Sequence, residues 1–156
     1  MSTAKEIEIV DGKTLKLNNV LSKETGTLDG DELAKALHMF DAYTKSKKLT
    51  PYGPMVMFSK TAFDGAKMSQ RSKLMAQLRE AHENPDPPYS FDRVVKVDGC
   101  VLARYRGSAV GLQVAYSKLQ VYAFEHDIQL KGETYTVIIE QKDGDILADV
   151  FTEKAR

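Results

Sequence analysis

The sequence predicts an α+β fold of duplicated β-α-β-β repeats, an antiparallel sheet with two helices packed on one face. Three observations carry this. Leu112, Ala115, Tyr116, Leu119 and Ala123 recur at helical spacing and form one stripe. On one side of that stripe, Val101, Ala103 and Tyr105 alternate with Leu102, Arg104 and Arg106, which is strand periodicity. On the other side, Asp143-Gly144 fits a two-residue hairpin turn between Thr134–Glu140 and Ile146–Phe151. A helix apolar along one stripe needs one sheet face to cover it, so Val97–Phe151 reads as strand, helix, strand, strand. Gly107 allows a tight turn into the helix and Ser108 is placed to cap it.

The first half repeats the pattern without repeating the residues. Glu6–Val10 and Thr14–Asn18 read as short strands around a turn at Asp11-Gly12, and Asn18–Gly26 as polar loop. Acids at Asp29, Asp31 and Glu32 favour a helix start, and Lys45, Lys47 and Lys48 favour its end. Leu33, Ala36, Leu37, Phe40 and Tyr43 recur at helical spacing between them, which predicts a helix over Asp31–Lys47. Thr50–Pro54 is a turn cluster, Met55–Ser59 alternates as a strand, and Phe63-Asp64-Gly65 turns again. Lys67–Glu83 supports two readings. Met68, Met75, Leu78 and His82 make a helical stripe, and Leu74, Ala76 and Leu78 make the inner face of a strand over Lys73–Glu80; pattern alone favours the helix slightly. The prolines of 84–88 continue neither element. The chain is therefore read as one domain, 1–156, with pseudo-repeats 1–83 and 89–156 joined by 84–88.

Composition narrows the function. The 156 residues are 42% hydrophobic and 28% charged, ordinary for a globular domain. Lys plus Arg and Asp plus Glu both total 22, which argues against direct nucleic-acid binding driven by phosphate contacts. No apolar run approaches the roughly 20 residues that span a bilayer, so no membrane association is expected. The single cysteine, Cys100, fits a reducing, cytoplasmic setting and a buried packing role. His38, His82 and His126 lack metal-ligand spacing, no Gly-x-Ser-x-Gly elbow occurs, and the glycines form no phosphate loop. No enzyme chemistry, metal or cofactor is expected on these grounds.

The run Gly99–Gly107 (GCVLARYRG), with Gly111-Leu112, Ala115-Tyr116, Leu119 and Gly132, resembles the C-terminal half of GyrI-like small-molecule-binding domains. These include the effector-binding domains of AraC-type and MerR-type bacterial transcription regulators. The resemblance covers Val97–Phe151, and in the first half mainly Tyr52-Gly53-Pro54. It implies a groove between the repeats as the ligand site, and a strand over Lys73–Glu80. It departs from the family in two respects. Members that bind cationic drugs carry a glutamate on the strand after the Gly, where this chain has Tyr135-Thr136. Glu140 shares simple strand parity with Thr136, farther along. Without a helix-turn-helix segment, the chain is expected to be a stand-alone member.

Tyr52, Met55, Met57, Tyr105, Tyr116 and Tyr135, with Glu140, are the candidate ligand-binding residues. Tyrosine offers an apolar face with a polar tip and methionine adapts to irregular shapes, which suits a flat lipophilic ligand. The expected function is non-enzymatic binding or sensing of a small lipophilic molecule. The alternatives are a protein-interaction module with a filled groove, and a weak xenobiotic hydrolase using Glu140.

Overall fold

A computed structural model describes residues 6–25, 30–64 and 67–155. Among these residues, six antiparallel strands and two α-helices form an α+β fold. In chain order they are β1 (Glu6–Glu24), α1 (Gly30–Ser46), β2 (Pro51–Asp64), β3 (Lys67–Leu78), β4 (Tyr89–Ser108), α2 (Gln113–Glu125), β5 (Leu130–Lys142) and β6 (Asp145–Lys154). The chain divides into two compact units, one of residues 16–96 and one of residues 1–15 with 97–156. The divisions fall inside β1 and β4.

In the unit of residues 16–96, β3 lies between β1 and β2, with Leu21 opposite Ala76 and Met57 opposite Leu74. The stretch with two readings is therefore a strand, as the family resemblance implied. Leu74, Ala76 and Leu78 line one face and pack with Leu21 against Ala36 and Phe40 of α1. Good helix formers on β3 yield here because the alternate apolar residues meet a helix face that must be covered. Three expectations in the first half of the sequence are corrected. Asp11-Gly12 is not a turn between short strands; β1 runs unbroken to Glu24, and Gly12 (φ +81°) bends it from within. Most of the expected loop at Asn18–Gly26 is strand as well. Likewise Tyr52-Gly53-Pro54 is not a turn before a strand. It lies inside β2, where the register shifts between Tyr52 and Val56 and Gly53 takes φ +73°. The turn read at Gly65 lies outside the described residues.

In the other unit, β6 lies between β4 and β5. Ala115, Leu119 and Ala123 of α2 are buried, and the first two pack on Val101, Ala103, Tyr105, Ile146, Ala148 and Val150. Leu112 and Tyr116 join from the side. The predicted stripe is thus the buried face. Asp143 (φ +51°) and Gly144 (φ +83°) close the hairpin, both in the left-handed region that a tight two-residue turn requires. The helix start differs from expectation. A 3-10 turn, Ala109–Leu112, precedes α2, and Ser108 makes no side-chain capping bond.

Cys100 is fully buried and donates weakly to the Val97 carbonyl. Burial pushes its thiol up to about 11. Two results are expected. A thiol reagent at neutral pH should count no cysteine in the native protein and one after denaturation. The native fold should also lose stability as pH rises from about 9 to about 11, because only the unfolded chain releases the thiol proton in that window.

Candidate functional site

The two faces of the β4–β6–β5 sheet have different chemistry, and strand pairing assigns each candidate to one of them. Residues directly opposite each other share a face. On the α2 face, Tyr105 stands opposite Ala148, and Thr136 opposite Val150. Tyr105 is fully buried and its hydroxyl donates to the Ser108 carbonyl at 2.6 Å. The Tyr116 hydroxyl meets Thr136 Oγ1 at 2.6 Å, and burial raises its pKa. Both tyrosines are enclosed in the packing between helix and sheet.

The face away from α2 carries three cross-strand rows. The first is Leu102–Phe151–Tyr135, the second Arg104–Asp149–Val137, the third Arg106–Leu147–Glu140. Glu140 reaches this face through a β-bulge. Ile138 pairs with Ala148 and Glu140 with Leu147, so one extra residue enters β5 and parity reverses beyond it. The expectation that Glu140 points to the side of Thr136 is corrected: it stands on the side of Tyr135. Its side chain is exposed.

Asp149 is the acid that sequence reasoning missed. It is buried, and Arg104 holds it with two parallel bonds, Nε to Oδ1 and Nη2 to Oδ2, both 2.8 Å. The carboxylate raises the Arg104 pKa in return. The signal was present: Asp149 is a lone acid inside the apolar run Ile146–Phe151. Phe151 and Leu102 lack the polar tip of tyrosine and the adaptability of methionine, the two features that mark candidates in the sequence. Tyr135 and Phe151 are partly exposed side by side, and Leu102 beneath them is buried. Burial, with Glu133 and Glu153 nearby, pushes the Tyr135 hydroxyl up to about 12. Glu153 stands opposite Cys100 and also lines a cavity of about 590 Å³ with Asp98, Gly99, Lys131, Lys154 and Ala155. Lys131 pairs with Glu153 at 3.0 Å, and Lys154 with Asp11 at 2.7 Å. The Tyr135 face therefore adjoins a hollow of the size that small ligands occupy.

The remaining candidates lie in the unit of residues 16–96. Met55 and Met57 are partly buried against the core beneath α1. Tyr52 pairs with Gln77 on the opposite sheet face, and the Arg79 guanidinium lies 5.6 Å from its ring centroid. The sequence grouped these three, and the irregularity in β2 separates them. This unit also holds an aromatic cluster that the sequence did not suggest. Tyr43 and Tyr89 stack at 3.8 Å, and the Tyr43 hydroxyl bonds His82 Nε2 and Asp86 Oδ2. It ties residues 82–89 to α1. Among the described residues no three His, Cys, Asp or Glu side chains group closely enough to ligate a metal. No helix among them is long and apolar enough to cross a membrane.

No protein-family model and no curated protein matches the sequence. Solved structures do match in shape. EcmrR in a cryo-EM structure of its DNA complex superposes with a TM-score of 0.71 at 15% identity, over 97% of this chain. This chain spans 58% of the length of that one. A crystal structure of the EcmrR C-terminal domain gives 0.69 at 14% identity, over 98% of each chain. A hydrolase from Listeria innocua gives 0.54 at 12% identity, over 96% of this chain and 92% of that one. At such identities the likeness speaks for the fold. The chain has the fold of the EcmrR C-terminal domain, consistent with the GyrI-like resemblance of its second half.

Proposed function

We propose that the chain is a non-enzymatic binding or sensing module for a small, flat, lipophilic molecule. The ligand lies over Tyr135 and Phe151, on the sheet face away from α2, and extends toward the cavity at Glu153. The observation that carries this reading is the pair of adjacent, partly exposed aromatic rings beside that hollow. Ring stacking offers contact area at little cost in side-chain freedom. The Asp149 carboxylate is already paired with Arg104, so it offers no unpaired charge to a lipophilic cation.

Binding without catalysis fits the titratable groups. The Cys100 thiol is buried and held protonated, and Tyr135 keeps its proton well above neutral pH. Neither serves as a nucleophile or base. The fold likeness to the EcmrR C-terminal domain supports a sensing role linked to transcription regulators, with the small molecule as the direct partner.

The test is a thermal-shift screen with neutral aromatic probes, followed by calorimetry on any that stabilise the fold. Tyr135→Ala and Phe151→Ala should each weaken binding about tenfold, the worth of one well-packed aromatic contact. Absence of any stabilising probe, or full affinity in both variants, overturns the reading. A hydrolytic reading keeps one specific support, since the bulge brings Glu140 to the Tyr135 face. Glu140→Gln should leave both ligand affinity and turnover of ester probes unchanged. A selective loss of turnover in that variant would favour hydrolysis.

A further inference from the structure

Helix α2 is apolar on two opposite sides. Its inner side, Ala115, Leu119 and Ala123, is buried in the fold. The outer side carries Val114, Val121 and Phe124, with Val110 of the preceding turn, and all four are exposed. Val110, Val114, Ser117, Val121 and Phe124 follow one another by four, three, four and three residues. That alternation is the seam spacing of a two-helix coiled coil, and it makes a narrow stripe pointing away from the buried face. A single exposed valine needs no explanation, but a continuous stripe of this spacing does.

The residues that flank the stripe indicate its occupant. Along one edge run Lys118 and Glu125, opposite in sign and seven residues apart, and neither forms an ion pair among the described residues. Along the other edge run Gln113 and Gln120, with the same separation. When a second copy of this helix lies antiparallel across the seam, each edge meets its own counterpart. Lys118 of one copy then faces Glu125 of the other, twice over, and Gln113 faces Gln120. Within the seam the same register sets Val114 against Phe124 and Ser117 against Val121. Large meets small in each layer. A two-fold axis requires a surface complementary to itself, and this one is.

We propose that the outer face of α2 is a self-association surface, on which two copies of the chain pair through antiparallel helices. The contact spans about 20 Å of helix at 1.5 Å per residue. It falls at the small end of specific interfaces, so the dimer forms reversibly and its population follows concentration. The proposal is independent of the ligand reading, which concerns the other side of the sheet.

Sedimentation velocity of the full chain over a concentration series tests it. The expected result is a mass rising from monomer to dimer. Phe124→Asp should hold the chain monomeric. Lys118→Glu and Glu125→Lys should each weaken association about tenfold, since each sets two like-charge contacts where two ion pairs stood. Lys118→Glu with Glu125→Lys in one chain should restore association, because the reversed charges face each other again. That recovery is specific to a self-complementary antiparallel pair. All these positions are exposed, and a thermal unfolding curve unchanged in dilute solution for each monomeric variant will show that the fold is intact. A monomer at every concentration overturns the proposal. So does a dimer indifferent to Phe124→Asp, a double reversal no better than the single ones, or a monomeric chain whose stripe binds a different protein.

Discussion

Replacing Arg104 with alanine should cost the fold about 3 kcal/mol, more than the loss of its partner Asp149, which should cost about 1–2 kcal/mol. The asymmetry follows from where the two groups sit. The Asp149 side chain is 10% exposed and that of Arg104 is 50% exposed. Without Arg104 a carboxylate is left buried with no counter-charge, and water can reach it only poorly. Without Asp149 the guanidinium turns outward and is solvated. Arg104→Leu with Asp149→Leu should fall within about 1 kcal/mol of the native protein, because desolvating both charges already cancels most of their attraction. Denaturant unfolding of the four proteins measures all three quantities. Equal costs for the two single variants would mean that the pair is solvated alike at both ends. The pair also bears on ligand choice. Arg104→Leu leaves Asp149 as an unpaired anion beside Val137 and next to the Tyr135 row, so the variant should acquire a preference for lipophilic cations. The native protein should prefer neutral probes of the same shape.

That outcome touches the point where sequence reading and structure diverged. The resemblance places a glutamate where this chain has Tyr135-Thr136, yet a carboxylate, Asp149, stands on the same face from the neighbouring strand. A sequence shows which residues alternate along one strand. It does not show which strand lies beside which, nor in what register, and Asp149 meets Tyr135's face only through the pairing of β5 with β6. The bulge was hidden for a related reason. Val137-Ile138-Ile139 is uniformly apolar, so periodicity marks no extra residue, and Glu140 was assigned to the wrong side. Gly12 misled differently. A glycine beside an aspartate signals a positive φ, but the same dihedral serves a bend within a long strand as well as a turn between two short ones. The helices were legible, because a 3.6-residue stripe needs no partner to be recognised. Tyr105 and Tyr116 are less legible: the sequence offers both as ligand-binding candidates, and they lie in the core between α2 and its sheet.

Leu119→Ala should destabilise the protein by about 3 kcal/mol, while Phe124→Ala, five residues on along the same helix, should change stability by no more than about 0.5 kcal/mol in dilute solution. Leu119 is 2% exposed and packs into the core formed with Val101, Tyr105 and Ala148, so its removal leaves a cavity that the surrounding sheet cannot fill. Phe124 is 87% exposed and loses little that the monomer uses. The comparison is made by the shift in denaturation midpoint at unchanged slope, which separates stability from any change in the unfolded state. The contrast has a second part that concentration controls. If the outer face of α2 pairs with itself, native stability rises with protein concentration, since the dimer exists only when folded. Phe124→Ala should abolish that dependence and Leu119→Ala should retain it. Comparable losses for both variants in dilute solution would mean that α2 is rotated about its axis from the position described. One helix then could not serve the core with one side while leaving the other free to meet a second copy.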